Sequence, residues 1–249
     1  MEGGNFLKNS QIIILGICIA AATIVSSMIL SGGVLKVMKF NREQISVTGS
    51  ATEEIRSDYI IWKGNFSRRD TSLKAAYASL KSDLEKIKSY LKSKGVADDD
   101  TNVSSVATTT VYKKNEKGND TNDIQYYVLY QSVEIRSNDV EKITDVSREA
   151  TELIDQGIEL ESQMPEYFYM KLDELKIKML AKASENAKLR AENMVRAAGN
   201  RIGLMRSARM GVFQITPATS TDISDYGMND TTSLDKKVMA VVTVSFAIE

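Results

Sequence analysis

LDELKIKMLAKASENAKLRAENMVRAAGNRIG, residues 172–203, is the stretch whose reading decides the fold. Leu172, Leu175, Met179, Ala183, Ala187, Ala191, Met194 and Ala198 return every three or four positions, which is one stripe of a 3.6-residue helix, and Gly199 stops it. The spacing predicts a helix from about Glu166 to Ala198, roughly 45 Å long at 1.5 Å per residue. Alanines four apart on the stripe let another backbone approach closely, either a sheet of the same chain or a neighbouring subunit.

Downstream the period changes from helical to two. Gly203–Ile215 and Lys236–Ile248 read as strands, the second with Val238, Ala240, Val242, Val244, Phe246 and Ile248 on one side. Between them, 216–235 is rich in Thr, Ser and Asp and is expected to form a mobile loop.

Upstream, Gln44–Ile55 and Tyr59–Phe66 read as paired strands. From Asp70, taken as the N-cap, Leu73, Ala76, Tyr77, Leu80, Leu84, Ile87 and Leu91 trace a helix stopped by Gly95, with Asp83 and Glu85 placed on its charged side. Val103–Tyr112 and Ile124–Ile135 make a long hairpin around Gly118. A shorter helix after Asn138 carries Val140, Ile143, Ala150 and Ile154 and ends at Gly157, and Ile158–Gln163 is a strand. The expected fold class is α+β, with mixed or antiparallel strands and three amphipathic helices, preceded by one transmembrane helix. The helices ending at Gly95 and Gly199 lie in a loose internal echo of strand, helix, glycine and strand.

That preceding segment has no charge from Asn9 to Leu35, and Ile12–Leu30 is nearly all apolar, about the ~20 residues that cross a bilayer core. It reads as an uncleaved anchor, residues 1–40 with a span of about 12–35, ahead of a domain at 41–249. A cleaved signal peptide competes, but the apolar part exceeds the roughly 7–15 residues of a signal core. Cys18 does not mark a lipoprotein, because Ile17 before it is bulky. Small residues four apart, Gly16/Ala20, Ala22/Ser26 and Ser27/Ser31, would let copies of the helix pack closely. Lys36, Lys39 and Arg42 outnumber Lys8 in flanking charge, which taken alone favours a cytoplasmic C-terminal domain.

The 249 residues hold 32 basic and 33 acidic side chains and no histidine. A net charge of −1 gives no footprint for nucleic acid. Without histidine there is no imidazole base and no histidine-dependent triad or zinc site. Beyond Cys18 there is no thiol. Asp98, Asp99, Asp100 and Asn102 begin like a calcium loop, but Val103 and Thr109 stand where its turn glycine and bidentate Glu belong. Glu53 and Glu54 are strand neighbours on opposite faces and cannot share a substrate. Lys74, Lys81, Lys88 and Lys92 read as a solvated helix face. Tyr126, Tyr127, Tyr130 and Trp62 are either an aromatic binding patch or cross-strand packing. The expectation is a protein with no enzymatic activity, no cofactor and no metal.

Three stretches together resemble the SIMPL-domain family, also called DUF541 or the oxidative-stress-defence family, which includes the Brucella periplasmic immunogenic protein. Ile45-Ser46-Val47-Thr48-Gly49-Ser50-Ala51 is similar to its V-x-G-x-G opening, with Ala51 in place of the second glycine and Ser57-Asp58 in place of a Pro-Asp pair. Ala183, Ala187, Ala191, Gly199 and Gly203 fit its A-x-x-x-A-x-x-x-A helix ending in G-x-x-L/I-G. The alternating strand Val238–Ile248 completes it. The resemblance implies an exported domain, anchored in the bacterial inner membrane as a single-pass protein with its C-terminal part periplasmic, against the flanking-charge count. It also implies a homo-oligomeric ring or cage-like scaffold linked to stress resistance, its partners being its own copies and the membrane. The alternative is a monomeric or dimeric binding module for a peptide, lipid or protein, working through the 216–235 loop.

Overall fold

The computed structural model describes residues 3–249, with side chains at 14–35 and 43–249. In chain order the elements are α1 (Gly3–Arg42), β1 (Gln44–Arg56), β2 (Tyr59–Asp70), α2 (Leu73–Ser93), a 3₁₀ turn (Asp98–Asp100), β3 (Thr101–Val103), β4 (Ala107–Lys114) and β5 (Asp120–Ser137). There follow α3 (Val140–Glu149), α4 (Glu152–Asp155), β6 (Glu159–Ser162), β7 (Glu166–Phe168), α5 (Leu172–Ala197), β8 (Ile202–Met210), β9 (Gln214–Pro217), β10 (Met228–Asn229) and β11 (Asp235–Ile248). The fold is α+β. Within α1, Ile14–Leu35 is long and apolar enough to cross a membrane, about 33 Å for 22 residues. Lys8, Lys36, Lys39, Arg42 and the first expected span residue, Ile12, lie outside the residues whose side chains are described.

The chain divides into two compact units, one of residues 1–51, 180–211 and 241–249, the other of 52–179 and 212–240. The second unit holds a six-stranded sheet in the order β3-β5-β2-β6, with β4 further along β5 and β7 further along β2, every pair antiparallel. Its core gathers Trp62, Phe66, Ile60, Leu80, Ile87, Leu129, Ile135, Ile143, Leu153 and Ile158, all essentially inaccessible. Each such side chain contributes about 1.5–3 kcal/mol by leaving water. The unit also contains β9, paired antiparallel with Lys236–Met239 of β11 and parallel with β10.

In the first unit, Val242–Ile248 of β11 pairs antiparallel with β8, Val47 of β1 is buried, and Gly49 of β1 meets the alanine stripe of α5. Ala183, Ala187 and Ala191 are fully buried. A Cβ at Gly49 would overlap Ala183 O and Ala187 N and stand 2.7 Å from Ala187 Cα, so a residue without a side chain is required there.

Three helices end in the same way. The N–H of Gly95 bonds Lys92 O and that of Val96 bonds Leu91 O; Gly157 and Ile158 do the same to Ile154 and Leu153, and Gly199 and Asn200 to Arg196 and Val195. This is the Schellman pairing, and each glycine supplies the left-handed residue it needs, with φ of 74°, 79° and 82°.

Several boundaries differ from the sequence reading. The N-cap of α2 is Ser72, whose side chain accepts from Ala75 N, while Asp70 accepts from Ser72 N instead. Residues 166–168 form β7 on the edge of β2, because Tyr167 buries in the core, and α5 starts only at Leu172 with Asp173 and Glu174 in its first turn. The strand expected over Gly203–Ile215 is two strands, β8 and β9, and Val103 belongs to β3 rather than to the hairpin. Register shifts near the end of β11 bury Ala247 and leave Ile248 half-buried, so Ile248 leaves the expected face.

Candidate assembly surface

Among the described residues no three of His, Cys, Asp and Glu stand close enough to hold a metal. Glu53 is paired with Lys178 at 2.9 Å, and Glu54 points the other way into solvent. Asp98, Asp99 and Asp100 form an exposed 3₁₀ turn. Cys18 is exposed on α1. Two open clefts, of about 500 Å³ beside Arg196 and Arg201 and about 620 Å³ beside Lys86 and Lys94, gather no catalytic set.

Two buried charges have structural work. Asp83 lies on the apolar side of α2, between Leu80 and Ile87, and is 2% exposed; the fork of Arg68 grips it, Nε on one oxygen and Nη2 on the other at 2.8 Å. The placement of Asp83 on the charged side is therefore corrected. The Asp83 carboxylate raises the Arg68 pKa. Lys236 is buried too, donating to the carbonyls of Tyr167 and Asp230; burial lowers its pKa, and Asp230 pulls the other way. This lysine straps down part of the 216–235 segment. Gln214 exchanges hydrogen bonds with Ser224, Lys237 donates to Ser220 O, and Tyr167 N donates to Thr231 O. The segment, read from its composition as unable to order itself, thus carries β10 and several anchors, with Ile223 and Tyr226 left outside, 72% and 97% exposed.

On α1, a period of 3.6 sets Gly16, Ala20, Ser27 and Ser31 on one face and Ala22 and Ser26 away from it. All six are exposed. Gly49, Ala183, Ala187 and Ala191 meet in the helix–sheet contact already described. Gly199 caps α5, and Gly203 lies under the Glu249 side chain. The aromatic residues are not one patch. Register places Trp62 and Tyr127 on the inner face of the six-stranded sheet, where Trp62 donates to Ser162 Oγ, and Tyr126 and Tyr130 on the outer face.

The feature that sequence reading passed over is the outer edge of β4. Its residues 107–112, Ala-Thr-Thr-Thr-Val-Tyr, carry no charge and no proline. β4 pairs only with β5, and Ala107 to Val111 run in continuous register with Tyr130 to Tyr126. Ala107, Thr108, Thr109 and Tyr112 are exposed. On the outer face Ala107, Thr109 and Val111 stand beside Tyr130, Val128 and Tyr126. From Ala107 to Val111 the edge is regular, uncharged and open, and such an edge is a template for another strand. The run of β-branched residues could have signalled it, but sequence alone does not say which strand ends a sheet.

Residues 45–246 match the family described as SIMPL, protein of unknown function (DUF541). No curated protein matches the chain.

Proposed function

We infer the function from one premise, that this chain belongs to the SIMPL (DUF541) family. It acts as a membrane-anchored, non-enzymatic scaffold whose copies assemble through the soluble part into a ring or cage-like homo-oligomer at the bacterial inner membrane. In this reading the C-terminal part is extracytoplasmic and the assembly serves stress resistance. The observation that carries the assembly reading is the open β4 edge. The anchor supports it: α1 runs through Arg42 and β1 begins at Gln44, so one residue separates helix from strand. Seven helical residues past Leu35 span about 10 Å, which keeps the start of β1 near the bilayer and restricts neighbours to movement in its plane. Two differently tagged full-length copies, co-expressed and extracted in mild detergent, will co-purify; recovery of each tag alone would remove the assembly reading.

A second reading, an envelope binding module, is favoured by the outward Ile223 and Tyr226 on the strapped 216–235 segment. It predicts that Ile223→Ser with Tyr226→Ser abolishes capture of an envelope partner while co-purification of the two tags persists.

A further inference from the structure

We propose that β4 is the seam at which a second copy of this chain docks, antiparallel, with the two Thr109 residues opposite each other across a two-fold axis. The proposal rests on the self-assembly reading and specifies where and in what register two of the copies meet; a two-fold contact closes at two chains, so a ring combines this seam with a second, different contact.

The other sheet edges of the described residues are closed or blunted. On β1, α5 side chains take two backbone groups near its middle: Asn186 Oδ1 accepts from Ser50 N, and Arg190 Nη1 donates to Thr48 O; further along, the strand carries Glu53, Glu54 and Arg56. β8 carries Arg206 and Arg209, and its pairing with β11 shifts register twice. β6 and β7 are four and three residues long and carry Glu159, Glu161 and Glu166; β10 has two residues. Shortness, charge and irregularity are the devices that stop an edge from recruiting another strand. β4 carries charge and irregularity only at its far end, where Lys113 and Lys114 sit and its register with β5 shifts on either side of Tyr112, and has neither between Ala107 and Val111.

A second copy fits this edge because the strand is complementary to itself. In an antiparallel pair, opposed residues must both direct their N–H and C=O groups across the seam or both away from it, so residues that face each other share parity. Three registers keep the pairing near the middle of the strand. Centring on Thr110 sets Ala107 against Lys113, and centring on Thr108 sets Val103 against Lys113. Centring on Thr109 sets Thr108 against Thr110 and Ala107 against Val111, hydroxyl facing hydroxyl and apolar facing apolar, with Lys113 opposite Ser105. Thr–Thr and apolar cross-strand pairs are the stabilising ones. The outer-face row of Tyr126, Val128 and Tyr130 beside β4 then continues across the seam into the same row of the second copy. An isologous contact of this kind consumes both edges and leaves no open strand at the seam.

Cysteine pairing reads the register directly. In full-length protein carrying Cys18→Ser and held in mild detergent, Thr109→Cys will oxidise to a reducible dimer. Ala107→Cys and Val111→Cys will each give little dimer alone, because each residue lies four positions from its own counterpart, and will form it when co-expressed. Each variant is first matched to the parent in thermal unfolding. If tagged copies co-purify but Thr109→Cys gives no dimer, or if Ala107→Cys dimerises alone as well as Thr109→Cys does, the seam or register is wrong and the assembly reading stands. If the copies do not co-purify, both fall.

Discussion

Gly49→Ala adds one methyl group at the tightest contact of the first unit. Its Cβ would stand 2.7 Å from Ala187 Cα and overlap two further backbone atoms of α5, where carbon contacts settle at 3.5–4.0 Å. Restoring that separation moves the helix back by about 1 Å, which loosens Ala183, Ala187, Ala191 and Val195 together, all of them buried. Overpacking ordinarily costs about 1–3 kcal/mol. With backbone rather than a pliable side chain in the way, the upper end, about 3 kcal/mol, is expected, a fall in Tm of about 6–12 °C for a domain of this size. The assay is thermal unfolding of the full-length protein followed by circular dichroism. Gly64→Ala is the control, since its new methyl would meet only the Trp62 ring at 3.3 Å and the Leu160 side chain at 3.4 Å, and should cost under about 1 kcal/mol. Ala187→Gly should not rescue Gly49→Ala, because the obstructing atoms are main chain. A Gly49→Ala protein melting within about 2 °C of the parent would refute the close approach of β1 and α5.

Asp83→Ala takes the carboxylate from Arg68, which keeps Gly157 O and partial solvent contact, and should lower stability by about 1.5–3 kcal/mol, read from the denaturant midpoint, whereas Asp83→Leu with Arg68→Met should cost less. Lys236→Met leaves the carbonyls of Tyr167 and Asp230 without their donor; about 1–3 kcal/mol and faster protease cleavage within 216–235 are expected. At acid pH, Lys142 holds the pKa of Asp139 below the ordinary Asp value, and Arg56 does the same for Glu141. Both acids stabilise the fold above their unfolded pKa values, and that contribution disappears as pH falls through the lowered folded values, below about pH 4. Asp139→Asn keeps a helix cap and should flatten that acid loss in unfolding titrations.

Local rules made much of the fold legible. Gly95, Gly157 and Gly199 marked three helix ends because a left-handed residue there closes the same pair of backbone bonds each time. The alanine spacing of α5 told where a strand would press closest. What failed needed tertiary knowledge. Tyr167 reads as the start of a helix until β2 offers it an edge and a core pocket. Asp83 shares the spacing of Leu80 and Ile87, yet nothing local says that Arg68 will be across from it. The assembly surface was the least legible part, since Ala107–Val111 is ordinary strand sequence and becomes distinctive only once the other edges of the described residues are seen to be short, charged, irregular or in part covered.

The mass of the full-length protein in mild detergent, measured by light scattering corrected for bound detergent and paired with negative-stain images, tests the central claim most directly. The account predicts a discrete closed particle of several 27.6 kDa chains, and a smaller particle when Thr109→Lys places two lysines against each other at the seam. A monodisperse 27.6 kDa species from the unaltered chain would contradict it.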